Sequence, residues 1–232
     1  MKMVPNERNR IVSGAALADS RRRRNGPAAD YKEVLVVVDV QNDFFPGGAL
    51  QVPDADSLIE PLNREIERAH EAGMRIVFTQ DWHPPTHLSF DINGGEWPLH
   101  CIQNTAGASL HRDVYQPEGS LVVRFGTDVR PGYSPFENEE MDEHIYRRNV
   151  QTVYVTGIAL EYCVAATCLD IRKRGKQVVA LDPLIRAAEP TEIDDTWRDL
   201  LMRGIVRAQT FEPTPLRPRP NGRFPARPRL SS

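Results

Sequence analysis

Val34-Leu35-Val36-Val37-Val38 is an unbroken aliphatic run, four of its five residues β-branched. A strand with one wet face alternates apolar and polar residues; a continuous run marks a strand buried on both faces, as in a parallel sheet covered by helices. The rest of the chain fits that arrangement. Residues 56–72 place Leu58, Ile59, Leu62, Ile66 and Ala69 at helical spacing, and Gly73 follows as a cap. Strands are expected over 75–79, 120–125, 152–156 and 177–181, with a short sixth starting at Ile205-Val206. Helices are expected over 138–149, 162–174 and 190–203. Strands alternating with helices predict a three-layer α/β/α sandwich around a mostly parallel, Rossmann-like sheet.

Charge divides the chain. Residues 1–30 and 212–232 each carry net +4, so the −3 of the whole leaves −11 for residues 31–211. An acidic domain lacks the clustered cations that track phosphates, so the core is not expected to bind nucleic acid. The N-terminal segment ends in Arg21-Arg22-Arg23-Arg24 and the C-terminal one is rich in Pro and Arg. Both read as solvated extensions too poor in apolar residues to fold. The arginine run could also serve as a nuclear address or polyanion contact. No apolar run reaches the length of about 18 residues needed to span a membrane. Three cysteines cannot all pair, which favours a reducing, cytoplasmic setting over a disulfide framework.

In a parallel α/β sheet, ligands bind beyond the C-terminal strand ends. Asp39 follows the first strand, Asp81 and His83 the second, residues 126–133 the third, and residues 157–163 the fourth. Cys163 opens a helix, where free N–H groups favour a thiolate and can hold an oxyanion; equally, it could be a small buried apolar residue. Asp39, capping a buried strand, is the candidate proton acceptor, with an ordinary loop aspartate as the plain alternative. Asp81, His83, His87 and His100 offer a ligand set suited to one divalent metal ion, Zn²⁺ first and Fe²⁺ or Mn²⁺ as alternatives.

Taken together, VVVDVQNDFFPGGAL, FTQDWHPPTHLSF, WPLHCIQNTAGASL, GYSPF and VTGIALEYCV, in order from residue 34 onward, resemble the nicotinamidase/pyrazinamidase family of isochorismatase-like cysteine hydrolases. The resemblance implies a homo-oligomeric enzyme that deamidates nicotinamide, a small-molecule carboxamide, to nicotinate and ammonia. It implies Cys163 as nucleophile and Asp39 as general base. The N–H groups of Ala159 and Cys163 would form the oxyanion hole, with a cis bond at Ile158-Ala159. Asp81, His83 and His100, with His87 as a further candidate, would hold a metal that contacts the pyridine nitrogen. Phe44, Trp97 and Tyr133 would line an aromatic slot.

One departure touches the chemistry. The family carries a catalytic lysine just before the glycine of the third loop, and in Arg124-Phe125-Gly126 that position is Phe125. Arg124 is the nearest substitute, but alternation along a strand should turn it away from wherever Phe125 points. Leu160 and Glu161 stand where Thr-Asp is usual. Two further readings therefore stand beside the nicotinamidase-like one. One is a related amidohydrolase acting on a ureido or other carboxamide substrate; the other is a pseudoenzyme that binds a pyridine carboxamide without cleaving it.

Overall fold

The computed structural model describes residues 31–137, 139–145 and 149–212. The expected N-terminal extension, residues 1–30, lies outside the described residues, as does the C-terminal segment from 213 onward.

Six strands form one sheet: β1 (Glu33–Val38), β2 (Arg75–Asp81), β3 (Leu121–Phe125), β4 (Thr152–Ile158), β5 (Gln177–Arg186) and β6 (Val206–Ala208). Their order is β3-β2-β1-β4-β5-β6, and every neighbouring pair is parallel. The strands are those expected, with β5 running several residues further and β6 starting one residue later. The aliphatic run lies at the centre, in β1, with all five residues fully buried.

Its residues alternate between two cores. Leu35 and Val37 pack in a cluster with Leu62, Ile66 and Ala69 of α1 (Ile59–Glu71). Val34, Val36 and Val38 pack in the other. That cluster includes Met141 and Ile145 of α2 (Glu139–Ile145), Cys168 and Ile171 of α3 (Ala165–Lys173), and Trp197 and Leu200 of α4 (Ile193–Met202). One helix on one face and three on the other make the three-layer sandwich. Burying each such side chain contributes roughly 1.5–3 kcal/mol, so a polar substitution in β1 would weaken both layers. The helix expected over 138–149 is described only as α2, because residues 138 and 146–148 lie outside the described residues.

Chain direction from the centre reverses between β1 and β4, the crevice where this topology binds ligands. At the top of that pair Val38 lies beside Gly157. A Cβ at Gly157 would overlap the Val38 carbonyl oxygen, and its φ of 118° suits only glycine. The close approach brings the chain after β1 and the chain after β4 into one cluster. No helix among the described residues is long and apolar enough to cross a membrane.

Candidate active site

Asp39 leaves β1 in a left-handed conformation (φ 48°) and is fully buried. Thr79 Oγ1 accepts its backbone N–H at 3.1 Å and donates to its Oδ1 at 2.6 Å. Oδ2 is buried with no nitrogen or oxygen partner. The thiol of Cys163 acts on the Asp39 carboxyl as a hydrogen-bonding group. Asp39, Asp81 and Cys163 each place a donor atom within 4.8 Å of the others.

Beyond β4, the Ile158–Ala159 peptide is cis. Cys163 follows in a wide π-type turn, Leu160–Val164, that runs into α3. A helix start favours a thiolate, but the surroundings of Cys163 oppose one. Cys163 is buried against two carboxylates: burial first, then Asp39 and Asp81, pushes its thiol well up. Burial, then Asp81, also raises the Asp39 carboxyl, which suits a group that must exchange a proton near neutrality.

The position at which the resemblance implies a lysine is Phe125, the last residue of β3. Phe125 is buried in the same core cluster as Cys163. Arg124 lies on the opposite face of β3, its guanidinium 3.7 Å over the Trp82 ring and its Nε donating to Gln80 Oε1 at 3.3 Å. It is therefore held away from the position a lysine would fill, and its candidacy as a substitute is set aside. The strongest charges acting on Asp39 are Asp81 and His83, and those on Cys163 are Asp39 and Asp81; none is a lysine or arginine.

On the other side of Asp81, donor atoms of Asp81, His83 and His100 converge within 4.8 Å. His83 Nδ1 donates to the Gly126 carbonyl at 3.1 Å and His100 Nδ1 to the Pro98 carbonyl at 2.8 Å. Both Nε2 atoms are thereby left as lone-pair donors, 3.5 and 4.0 Å from the Asp81 carboxylate. Gly126 is required here, because a Cβ would run into the His83 ring. Burial opposes protonation of His83, but Asp81 outweighs it and the ring is pushed up; burial lowers His100. One carboxylate and two oriented imidazoles fit a divalent ion with open positions. His87 stacks on His83 with centroids 4.1 Å apart, yet both its nitrogens are engaged, Nε2 by the Arg130 carbonyl and Nδ1 by Ser89. It lies beside the converging set and not within it.

Sequence reasoning did not find what aligns these ligands. The turn after β1 does so. Gln41 brackets the backbone of Asp81, accepting its N–H at 2.9 Å and donating to its carbonyl at 2.8 Å. Two residues on, Asp43 Oδ2 accepts the N–H of Cys101, the neighbour of His100, at 2.7 Å.

Cys163, Ala159 and the three converging ligands open into one cleft of about 640 Å³, including the space at its mouth. Phe44, Trp97 and Tyr133 line it as expected; Tyr162, Leu50, Val52 and Ala188 were not anticipated. Trp97 packs edge-on to Tyr162 at 5.0 Å, and its Nε1–H donates to Tyr133 Oη at 3.0 Å. Glu161 supports the rim by accepting the N–H of Glu189, next to Ala188. Of the other cysteines, Cys168 is packed inside α3 and pushed by burial to about 12.

An isochorismatase domain matches residues 33–205. The chain belongs to the isochorismatase family. It is 34% identical to the nicotinamidase of Acinetobacter baylyi over 75% of this chain and 90% of that one. It superposes on the pyrazinamidase of Pyrococcus horikoshii in complex with zinc with a TM-score of 0.74 and 40% identity, covering 77% of this chain and 99% of that one. PnC1 from L. infantum in complex with nicotinate matches with a TM-score of 0.71 and 32% identity, over 78% of this chain and 93% of that one. The family and fold expected from the sequence are borne out, and the chain is by family an amidohydrolase.

Proposed function

We propose that this chain hydrolyses nicotinamide to nicotinate and ammonia through a thioester on Cys163. The observation that carries the reading is the cleft in which Cys163, the Asp81–His83–His100 donor set and an aromatic rim meet, with Asp39 buried within 4.8 Å of the Cys163 and Asp81 donor atoms. A neutral aromatic amide matches that lining: a planar ring between Phe44, Trp97 and Tyr133, with the amide carbon at Cys163. The relatives named as nicotinamidases and the neighbour holding nicotinate add support.

The chemistry balances as two proton cycles on Asp39. Asp39 takes the thiol proton as Cys163 sulfur attacks the amide carbon. The N–H groups of Ala159 and Cys163 stabilise the oxyanion. The C–N bond breaks, and ammonia leaves with the proton that Asp39 returns. Water then attacks the thioester, Asp39 takes one of its protons, nicotinate forms, and the sulfur is reprotonated. A divalent ion, zinc in the first instance, held by Asp81, His83 and His100 would supply a Lewis-acid contact for the ring nitrogen. With three free cysteines and an acidic core, the chain suits a cytoplasmic role in pyridine-nucleotide salvage, as a homo-oligomer.

Phe125 favours a second reading, a protein that binds a pyridine carboxamide without cleaving it. One experiment separates the two. Zinc-loaded protein is given nicotinamide, and both ammonia release and binding heat are followed. Steady ammonia release that vanishes in Cys163→Ala supports the amidase; binding heat without ammonia supports the binder.

A further inference from the structure

Thr79, on β2, is fully buried, and its hydroxyl meets Asp39 twice. It stands one step beyond the Val37–Phe78 pair of β1 and β2, level with the end of β1. There Asp39 turns off the ladder in a left-handed conformation (φ 48°). Its backbone N–H donates to Thr79 Oγ1 at 3.1 Å. The hydroxyl donates in turn to Asp39 Oδ1 at 2.6 Å, a length typical of an O–H bond to a charged oxygen. One hydroxyl thereby fixes both the backbone and the carboxylate of one residue.

A threonine hydroxyl has one proton to give. Asp39 Oδ1 takes it, so that oxygen is occupied. Oδ2 is buried with no nitrogen or oxygen partner. Phe125, at the position where the resemblance implies a lysine, has no donor to offer the carboxylate. Among the described residues, Thr79 Oγ1 is therefore the one side-chain oxygen or nitrogen that orients the Asp39 carboxylate. The Cys163 sulfur lies within 4.8 Å of it.

We propose that Thr79 is a positioning residue for proton transfer in this cleft: by holding Oδ1 it presents Oδ2 to the Cys163 sulfur. The S–H bond breaks as the proton passes to Oδ2, and the electron pair stays on sulfur for attack on the amide carbon. The same oxygen later returns the proton to the leaving ammonia. Thr79 does not line the cleft and acts only through Asp39. The effect on turnover rests on the proposed amidase function; the orientation of the carboxylate does not.

The test compares zinc-loaded wild type with Thr79→Val, which keeps the shape and removes the hydroxyl, and with Thr79→Ser, which restores it. Two rates are read: ammonia release from nicotinamide, and alkylation of Cys163 by iodoacetamide, followed by mass spectrometry of its peptide. In Thr79→Val both kcat and the alkylation rate should fall about tenfold or more, since an unaimed base no longer takes the thiol proton. KM and zinc affinity should stay within about twofold, and Thr79→Ser should return both rates to within about threefold of wild type. Alkylation in Thr79→Val within about twofold of wild type overturns the proposal, and so does a serine variant as slow as the valine one. A loss confined to KM or zinc affinity overturns it too, because it marks a merely structural role. If Thr79→Val does not fold, an atomic-resolution crystal structure of wild type decides: Oδ2 nearest the Cys163 sulfur supports the proposal, and Oδ1 nearest overturns it. Wild type that releases no ammonia overturns only the amidase reading, and alkylation then decides the role of Thr79 alone.

Discussion

Around Asp81, His83 and His100, the imidazole nitrogens that do not face the convergence point are fastened to backbone carbonyls, and Gln41 and Asp43 hold the backbone of Asp81 and of Cys101 beside His100. Around Asp39 and Cys163, one carboxylate oxygen is held by Thr79, the other has no nitrogen or oxygen partner, and the residue filling the strand end is a phenyl ring. One half of the cleft is orientated for its ligand in advance; the other buries like charges without a cation beside them. On the proposed function, the contrast predicts that metal binding and nucleophile activation are separable. The first would rest on hydrogen bonds to backbone, the second on the electrostatic balance around Asp39 and Cys163.

Substitutions can break or sharpen that contrast. The largest effect is expected from Cys163→Ala, which should cut ammonia release from nicotinamide about 10³-fold or more while metal content stays at one equivalent. Phe125→Lys should raise kcat/KM about a hundredfold by adding a cation to the pair, with zinc affinity unchanged in a competition titration. An equal fall in both would show that the two halves are coupled. Gln41→Ala attacks the other half, and zinc affinity should fall about tenfold or more, as losses of supporting hydrogen bonds around metal ligands do.

Asp39→Asn addresses the burial of like charge. A carboxyl raised in the folded state holds its proton more tightly folded than unfolded. Its stabilising share is therefore full below about pH 4 and is lost as pH rises through the native value. Metal-free Asp39→Asn should accordingly melt higher than metal-free wild type at pH 7, by about 4 °C, and the gap should close toward pH 4. Tyr133→Phe, which removes only the exposed bond from Trp97, should have the smallest effect, changing KM by no more than the fivefold or so that about 1 kcal/mol represents.

The sheet was legible because a buried parallel strand leaves a local mark: Val34 to Val38 could be nothing solvated. The reactive groups were legible because they stand directly after strands, where the fold gathers them. What remained hidden depended on contacts between distant segments. Gln41 and Asp81 are 40 residues apart, and nothing in either stretch names the other. The place of His87 was decided by Ser89 and the Arg130 carbonyl, a partner 43 residues away. Tyr162 lies beside the nucleophile in sequence, but its role follows from Trp97 and Tyr133 arriving over it. The upward push on the Cys163 thiol was missed for the same reason. Helix position favours a thiolate, but burial beside carboxylates from two other strand ends acts against it and prevails.

The turn that carries Gln41 and Asp43 has a consequence for how such a protein can diversify. It fixes the chain at Asp81 on one side and at Cys101 on the other, so the stretch between, residues 84–97, hangs from two anchored ends. Within it His87 and Phe90 pack on His83 and His100 and are tied to the ligand geometry, whereas Trp97 at its end lines the cleft. New substrates can thus be explored by exchanging Trp97, with the rings that back the ligands left in place.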